Sequence, residues 1–471
     1  MVLQRNIKIP VWGNASPGRQ VKIDFDGKTY KTITDKPGKW KIYIDEHNLP
    51  CPYQMKVYSD SNSVTFNDIL IGEVWICGGQ SNMEWAVLQS NNSQQEISNA
   101  KYSNIRLCKI DRLISEKPVN DIKTEWKECS PETVEQFSAV GYFFGRDLYN
   151  DINVPIGLIE SVWGGTPIEA WTSREVLEKM QEFSGTMKKN KASARKYYSD
   201  MAEYEQLYQQ WQTQGAKELP PKTIKDPRHR WPSVLFNGMI YPIIPYAFRG
   251  VIWYQGEGNA GRACQYKKLF PALIKDWRTR WGIDDFPFLF VQLASFRNPS
   301  PVPVENEWAE LREAQIDTLS LPNTGMALAI DIGEANSIHP KNKQDVGKRL
   351  CLIALEKVYG KKVISNGLMY NNMQVNDNKV ILSFDHIYDG LKFKDDRLLG
   401  FSIAGVDKKF KWAQAEIKDN KIVVWSDEIK NPVAVRYSWE SNPNGNLYNS
   451  ADLPACPFRT DNFKLSTFSK Q

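Results

Sequence analysis

The sequence predicts an α/β fold built on a parallel sheet, with antiparallel β-rich regions at both ends of the chain. Three observations predict it. Between about residues 68 and 360, apolar runs of strand length alternate with segments of helical period, the pattern of βαβ units. Each of those runs ends in a short polar or glycine-rich piece, as expected where an open sheet binds ligand beyond the carboxyl ends of its strands. Before and after that middle region, short alternating runs are broken by Gly-Asn, Asp-Gly, Pro-Gly and Asp-Asn turns, which is hairpin text.

Three regions follow: a sandwich-like region at 1–67 that reads as incomplete, a central α/β domain at 68–360, and a β-rich region at 361–471. In the first, strands are predicted at 7–12, 21–25, 39–44 and 53–58. The central strands are placed at 69–76, 156–162, 250–254, 288–293 and 326–330, with helices at 140–150, 265–281, 308–319 and 343–359. Two insertions interrupt the series. Residues 89–137 read as loops with short strands, and 174–214 are polar with helical period, either an arm or lid over the site or a solvated hairpin. Strand text resumes at 380–384, 401–406, 421–425 and 433–439, a region open to joining the N-terminal one in space.

Composition narrows the function. A length of 471 residues exceeds one ordinary domain, and the 16 tryptophans supply large cores or platforms for sugar rings. A formal charge of +5, with no basic block, gives nucleic-acid binding no support. Seven scattered cysteines without a CxxC pair argue against a zinc or redox motif, and the odd count leaves at least one thiol outside any intramolecular disulfide. No apolar run reaches membrane-spanning length. The first residues have neither the charged start nor the apolar core of a signal peptide.

Chemistry concentrates after the strand at 69–76. The run stops at Gly78-Gly79 and is followed by Gln80-Ser81-Asn82-Met83 and a helix-like start. Glycine permits the sharp turn that would hold Ser81 up at a sheet edge, although a Gly-x-Ser before a helix also suits a plain N-cap. A serine needs a base, and the chain has four histidines. His47 and His386 fall in the terminal strand regions, and His229 sits in a loop that could line the site. His339 lies just past the last central strand and just before a helix, which puts it on the same sheet edge as Ser81.

The stretch Gly79-Gln80-Ser81-Asn82-Met83, the loop Trp163-Gly164-Gly165-Thr166-Pro167, the block Trp253-Tyr254-Gln255-Gly256-Glu257-Gly258-Asn259 and the closing Ile338-His339-Pro340 occur in the order found in the sialate O-acetylesterase family of SGNH-type hydrolases, which the chain resembles over most of its length. The resemblance implies a three-layer α/β/α esterase domain, a Ser81 nucleophile and a His339 base. It implies an oxyanion hole from the Ser81 N–H, the Gly165 N–H (with Gly164 as the alternative) and the Gln255 amide (with Asn259 as the fallback). Gln80, Asn82, Trp85, Trp163, Glu257 and Asn259 would line the substrate pocket, with Trp171, Trp253 and Arg297 as further candidates. No metal or cofactor is expected, the partner is an acetylated sugar or glycan, and no nucleic-acid or membrane partner is expected. Family proteins carry more chain upstream, so the resemblance also implies a late-starting chain and a periplasmic or secreted protein. One departure stands out. The family's aspartate two positions before the histidine is Ser337 here, so a Ser–His dyad is expected, or an orienting group from Asp331, Glu334 or a backbone carbonyl. That departure keeps a non-catalytic carbohydrate-binding protein open as an alternative, beside an esterase for xylan or another neutral polysaccharide.

Overall fold

The computed structural model describes residues 1–49, 51–60, 62–216, 220–283 and 285–470. Its main feature is the path of an 11-stranded sheet in the order Thr324–Ala327, Phe288–Val291, Gly250–Tyr254, Asn62–Gly79, Ile156–Val162, Tyr102–Lys109, Trp126–Cys129. Neighbours on this path pair in parallel except the last two, which are antiparallel. Alternate side chains of each strand enter opposite cores, as a period of two requires. Ile76, Val251, Trp253, Phe288 and Phe290 pack with the helices Ala263–Trp281 and Glu307–Asp317. Trp75, Cys77, Ile252, Leu289 and Val291 pack with the helices Ala139–Ile152 and Lys343–Lys357 on the other face. The result is the three-layer α/β/α arrangement.

The boundary expected near residue 67 is a change of neighbours and not the end of a strand. Asn62–Gly79 is one strand of 18 residues. Its first part pairs antiparallel with Tyr53–Ser59, and its second part pairs in parallel with the two central neighbours. Asp68, at φ 54, marks the crossing. Tyr102–Lys109, assigned from sequence to an insertion, is integral to the sheet. It was hidden because Ser103 and Asn104 are exposed and Arg106 is buried among its apolar residues, bidentate to Asp68 (3.1 Å for the longer bond). The insertion at 174–214 is mainly one helix, Ser184–Thr213, with Tyr197 its only buried residue. Tyr197 and Tyr198 lean on Trp231, with ring centroids at 5.8 and 5.7 Å.

The C-terminal region forms its own antiparallel sheets, Met369–Asn376 with its neighbours and Phe401–Ala404 with its neighbours. They do not pair with the N-terminal strands among the described residues; they dock on helix Glu307–Asp317 instead. Fully buried Arg312 donates to the carbonyls of Leu293 (2.8 Å), Ala294 (2.9 Å), Glu440 (2.7 Å) and Ser441 (3.0 Å), bridging the central domain and this region. Arg459 pairs with Glu313 at 2.7 Å beside it. All seven cysteines are free thiols. No described helix is long and apolar enough to cross a membrane.

Removing a buried donor leaves its acceptors dry, at about 1–3 kcal/mol each. Arg312→Met strands the Leu293 and Glu440 carbonyls, while Ala294 keeps the Trp308 Nε1–H and Ser441 keeps the Phe296 N–H. Its urea unfolding midpoint is therefore expected to fall by the equivalent of about 2 kcal/mol or more, and an unchanged midpoint would refute this account of the docking.

Candidate active site

Gly79 ends its strand at φ +139, and a Cβ there would lie 2.2 Å from the Tyr254 carbonyl oxygen. Only glycine allows that approach, which is held by the Gln80 N–H donating to the same carbonyl at 3.0 Å. The chain then turns into the short helix Ser81–Glu84, so Ser81 stands at its first position, above the carboxyl end of the sheet. His339 arrives from the other side on the loop before helix Lys343–Lys357. Its Nε2 lies 2.8 Å from Ser81 Oγ. The two residues are thus within hydrogen-bonding reach across 258 positions of sequence.

The imidazole is half-buried and stacks on Trp85, with centroids 5.0 Å apart and planes at 22°. Burial, and then the nearby Lys343 charge, hold its pKa below the usual histidine range. None of the acid alternatives reaches the ring. Ser337 Oγ accepts from the His339 backbone N–H at 3.1 Å and donates to its carbonyl at 3.1 Å. Asp331 is bidentate to Arg349 at 2.6 and 2.8 Å, and Glu334 accepts from the Lys341 N–H at 2.7 Å. Among the described residues no acceptor meets the ring's Nδ1. The arrangement is a Ser81–His339 contact with the imidazole held against an aromatic face.

The glycine loop after Val162 lies against Ser81. A Cβ on Gly164 would be 3.2 Å from Ser81 Cβ. The Gly164 N–H is engaged, donating to Glu84 Oε2 at 2.6 Å. Gly165, exposed at φ +72, leaves its N–H without a hydrogen-bond partner among the described residues. The Glu84 carboxylate also pairs with Arg112, whose guanidinium lies 5.2 Å over Trp163. His229 stacks on Trp163 with centroids 5.5 Å apart. Sequence reasoning missed Glu84 and Arg112. Glu84 sits one turn past Ser81 and could have been suspected, whereas nothing near Arg112 marks it.

Gln255 departs from expectation. It is fully buried, and its amide donates to the Thr166 carbonyl at 3.3 Å and to Asn259 Oδ1 at 2.8 Å. Asn259 Oδ1 also accepts from the Ile168 N–H at 2.8 Å, which fixes the orientation of both amides. Gln255 therefore braces the 163–167 loop from behind and does not face Ser81. Asn259, bonded onward to Glu169 at 2.9 Å, belongs to the same brace and offers no fallback donor. Two expected pocket residues are likewise turned inward. Gln80 Oε1 accepts from the N–H groups of Gly256 (3.4 Å) and Gly258 (3.1 Å), and Asn82 is 1% exposed. Trp171 and Trp253 are core residues at 0% exposure. Exposed Arg297 lies over Trp308 at 5.9 Å. Trp85 and Trp163 remain partly exposed around the serine, whereas the Glu257 carboxylate is turned inward, with Oε1 on Asn82 and Oε2 buried.

Comparisons with known proteins agree with this fold. The sequence profile of the family described as carbohydrate esterase, sialic acid-specific acetylesterase, matches residues 71–212 and 235–355. The sialate O-acetylesterase of Homo sapiens is 30% identical over 97% of this chain and 90% of its own length. That of Mus musculus is 29% identical over 97% of this chain and 92% of its own. The crystal structure of a carbohydrate acetylesterase from Xanthomonas citri is 36% identical with a TM-score of 0.85, covering 98% of this chain and 97% of that one. The protein is thus an ester hydrolase of the carbohydrate esterase class. It belongs to the sialic acid-specific acetylesterase family.

Positive φ and a backbone clash act together at Gly79, and strain of this kind costs about 1–3 kcal/mol before the clash is counted. Gly79→Ala is expected to lower the thermal midpoint and to remove esterase activity from whatever protein remains folded. A folded variant with wild-type turnover would show that the turn does not set the height of Ser81.

Proposed function

We propose that the protein hydrolyses acetyl esters on sugar hydroxyls, with O-acetylated sialic acid as the substrate class, through Ser81 as nucleophile and His339 as base. The observation that carries this reading is the 2.8 Å contact between Ser81 Oγ and His339 Nε2 at the carboxyl edge of the sheet. The neutral imidazole takes the Ser81 proton as Oγ attacks the acetyl carbonyl. The tetrahedral oxyanion is met by the N–H of Ser81, at a helix start, and by the unengaged N–H of Gly165. Imidazolium then protonates the sugar oxygen as the C–O bond breaks, leaving an acetyl-serine and the free sugar hydroxyl. Water, deprotonated by the same imidazole, attacks the acetyl-serine, and the imidazolium returns that proton to Ser81 Oγ as its bond to the acetyl carbon breaks and acetate leaves. Trp85 and Trp163 are partly exposed, and with His339 and His229 stacked on their rings they offer apolar edges to a sugar beside the ester. The intact serine–histidine contact argues against a decayed, binding-only site. From membership of this carbohydrate esterase family we infer a periplasmic or secreted site of action.

Ser81→Ala should retain the fold by circular dichroism and lose acetate release by about 10⁴-fold or more, as removal of a serine nucleophile does elsewhere. Turnover near wild type would remove the mechanism. Acetate release from O-acetylated sialic acid, set against release from acetylated xylan, tests the substrate: a higher kcat/KM on xylan would reassign it to a neutral polysaccharide.

The base must be unprotonated to act, and burial favours the neutral form. The acid limb of kcat/KM against pH is therefore expected to have its midpoint below the ordinary histidine value of 6.5, with activity lost as pH falls through it. A midpoint at or above 6.5 would contradict the burial-lowered imidazole.

A further inference from the structure

Behind the serine and histidine lies a buried cluster that the proposed chemistry does not use. Lys343, at the first turn of helix Lys343–Lys357, is 0% exposed, and its Nζ donates to Asn82 Oδ1 at 2.5 Å. The Asn82 amide nitrogen donates to Glu257 Oε1 at 2.5 Å and to the Ile338 carbonyl at 3.0 Å. Glu257 Oε2 is buried and without a partner among the described residues. Both amide hydrogens of Asn82 are thereby used, and its oxygen is engaged by the ammonium. Its orientation is fixed as well, since a flipped amide would set N–H against the ammonium and oxygen against both a carboxylate and a carbonyl.

The placement matters because Asn82 follows Ser81 in the chain and Ile338 precedes His339. The Asn82–Ile338 bond therefore ties the nucleophile segment directly to the base segment, in parallel with the Ser81–His339 contact. Lys343 and Glu257 pull on the two ends of the amide and hold it in place. They form no direct ion pair among the described residues, yet together they carry no net charge, whether the shared proton sits on the amine or the carboxylate. Burial drives the Lys343 ammonium down to about 7 and the Glu257 carboxyl up, and Glu257 partly offsets the fall on Lys343. The other groups facing Lys343 are the rings of Tyr254 (5.3 Å) and Trp85 (5.9 Å), the half-buried His339 and the charge of Glu334.

We propose that Asn82, Lys343 and Glu257 form a charge-balanced clamp that positions His339 over Ser81, doing part of the orienting work of the acid that this chain lacks. All three are positioning residues: they act through the Ile338 carbonyl and touch neither acetyl group nor sugar. The proposal rests on the serine–histidine reading above.

The test compares Asn82→Leu, Glu257→Gln, Lys343→Met and the double variant Lys343→Met/Glu257→Gln with wild type. Readouts are kcat, KM, thermal midpoint and the rate at which an organophosphonate labels Ser81. Asn82→Leu is expected to keep its KM within about threefold while kcat and the labelling rate fall together, by about 100-fold. A merely structural role would lower the thermal midpoint and leave the labelling rate of the folded protein alone. The double variant is expected to be at least about tenfold more active than Lys343→Met, because removing both charges restores the balance that removing one destroys. Asn82→Leu with kcat and labelling within threefold of wild type overturns the clamp, and a double variant no better than the worse single overturns its charge balance. If Asn82→Leu does not fold, Glu257→Gln decides: a fivefold or greater loss of kcat at unchanged KM supports the clamp, and a smaller one overturns it. Failure to label Ser81 in wild type would instead end the underlying mechanism.

Discussion

The contact between Gly79 and the Tyr254 carbonyl sets the level of everything above the sheet. Gly79 is in register with Tyr254 on one side and with Val162 on the other, so three neighbouring strands end on one line. The loops that leave those ends, 163–167 and 255–259, have no choice but to rise beside Ser81. A bulkier residue at 79 would push the central strand away from its neighbour and lower the serine relative to both loops. Such a site is built by the register of a parallel ladder before any side chain is considered.

That scaffold explains why so many amides near the serine point away from it. Gln80 is tied to the N–H groups of Gly256 and Gly258, and Gln255 to Thr166 and Asn259. Loops rich in glycine have few intrinsic restraints, and their backbone groups need partners once water is excluded. Buried amides supply both donor and acceptor, and so they fix loops that would otherwise be free to move. On the proposed mechanism the oxyanion is met by backbone N–H groups of a loop that these braces hold.

Most of the architecture was legible in the sequence. The strands Ile156–Val162 and Gly250–Tyr254 could be read to the residue, because each is a short apolar run closed by a loop signal. Ser81 and His339 were legible for a related reason: both follow strand ends, where side chains face the cleft. The strand Tyr102–Lys109 was not, since its buried arginine breaks the apolar pattern and owes its place to Asp68, far away in sequence. The inward turn of Gln255 was also invisible. Inside a non-repetitive loop no period fixes the direction of a side chain, and an amide that faces substrate has the same spelling as one that braces a turn. Lys343 was hidden differently: a lysine in the first turn of a helix reads as solvated, and only the packing of Trp85, Tyr254 and Asn82 around it removes the water.

The missing acid has an energetic side as well as a geometric one. A carboxylate on the far side of the imidazole fixes the tautomer and stabilises the imidazolium formed in the transition state, and it raises the histidine pKa in doing so. Here the ring is held by the Trp85 face and by a backbone pinned through Ser337 and Ile338, while burial keeps it neutral. Neutrality favours the first proton transfer by keeping the base available at lower pH, but it withholds support from the cation that follows. The Glu257 charge opposes the neighbouring ammonium, which would otherwise add to that deficit. If Ser81 and His339 act as proposed, direct stabilisation of the imidazolium is exchanged for orientation and charge balance, and that exchange depends on the buried lysine and glutamate remaining matched.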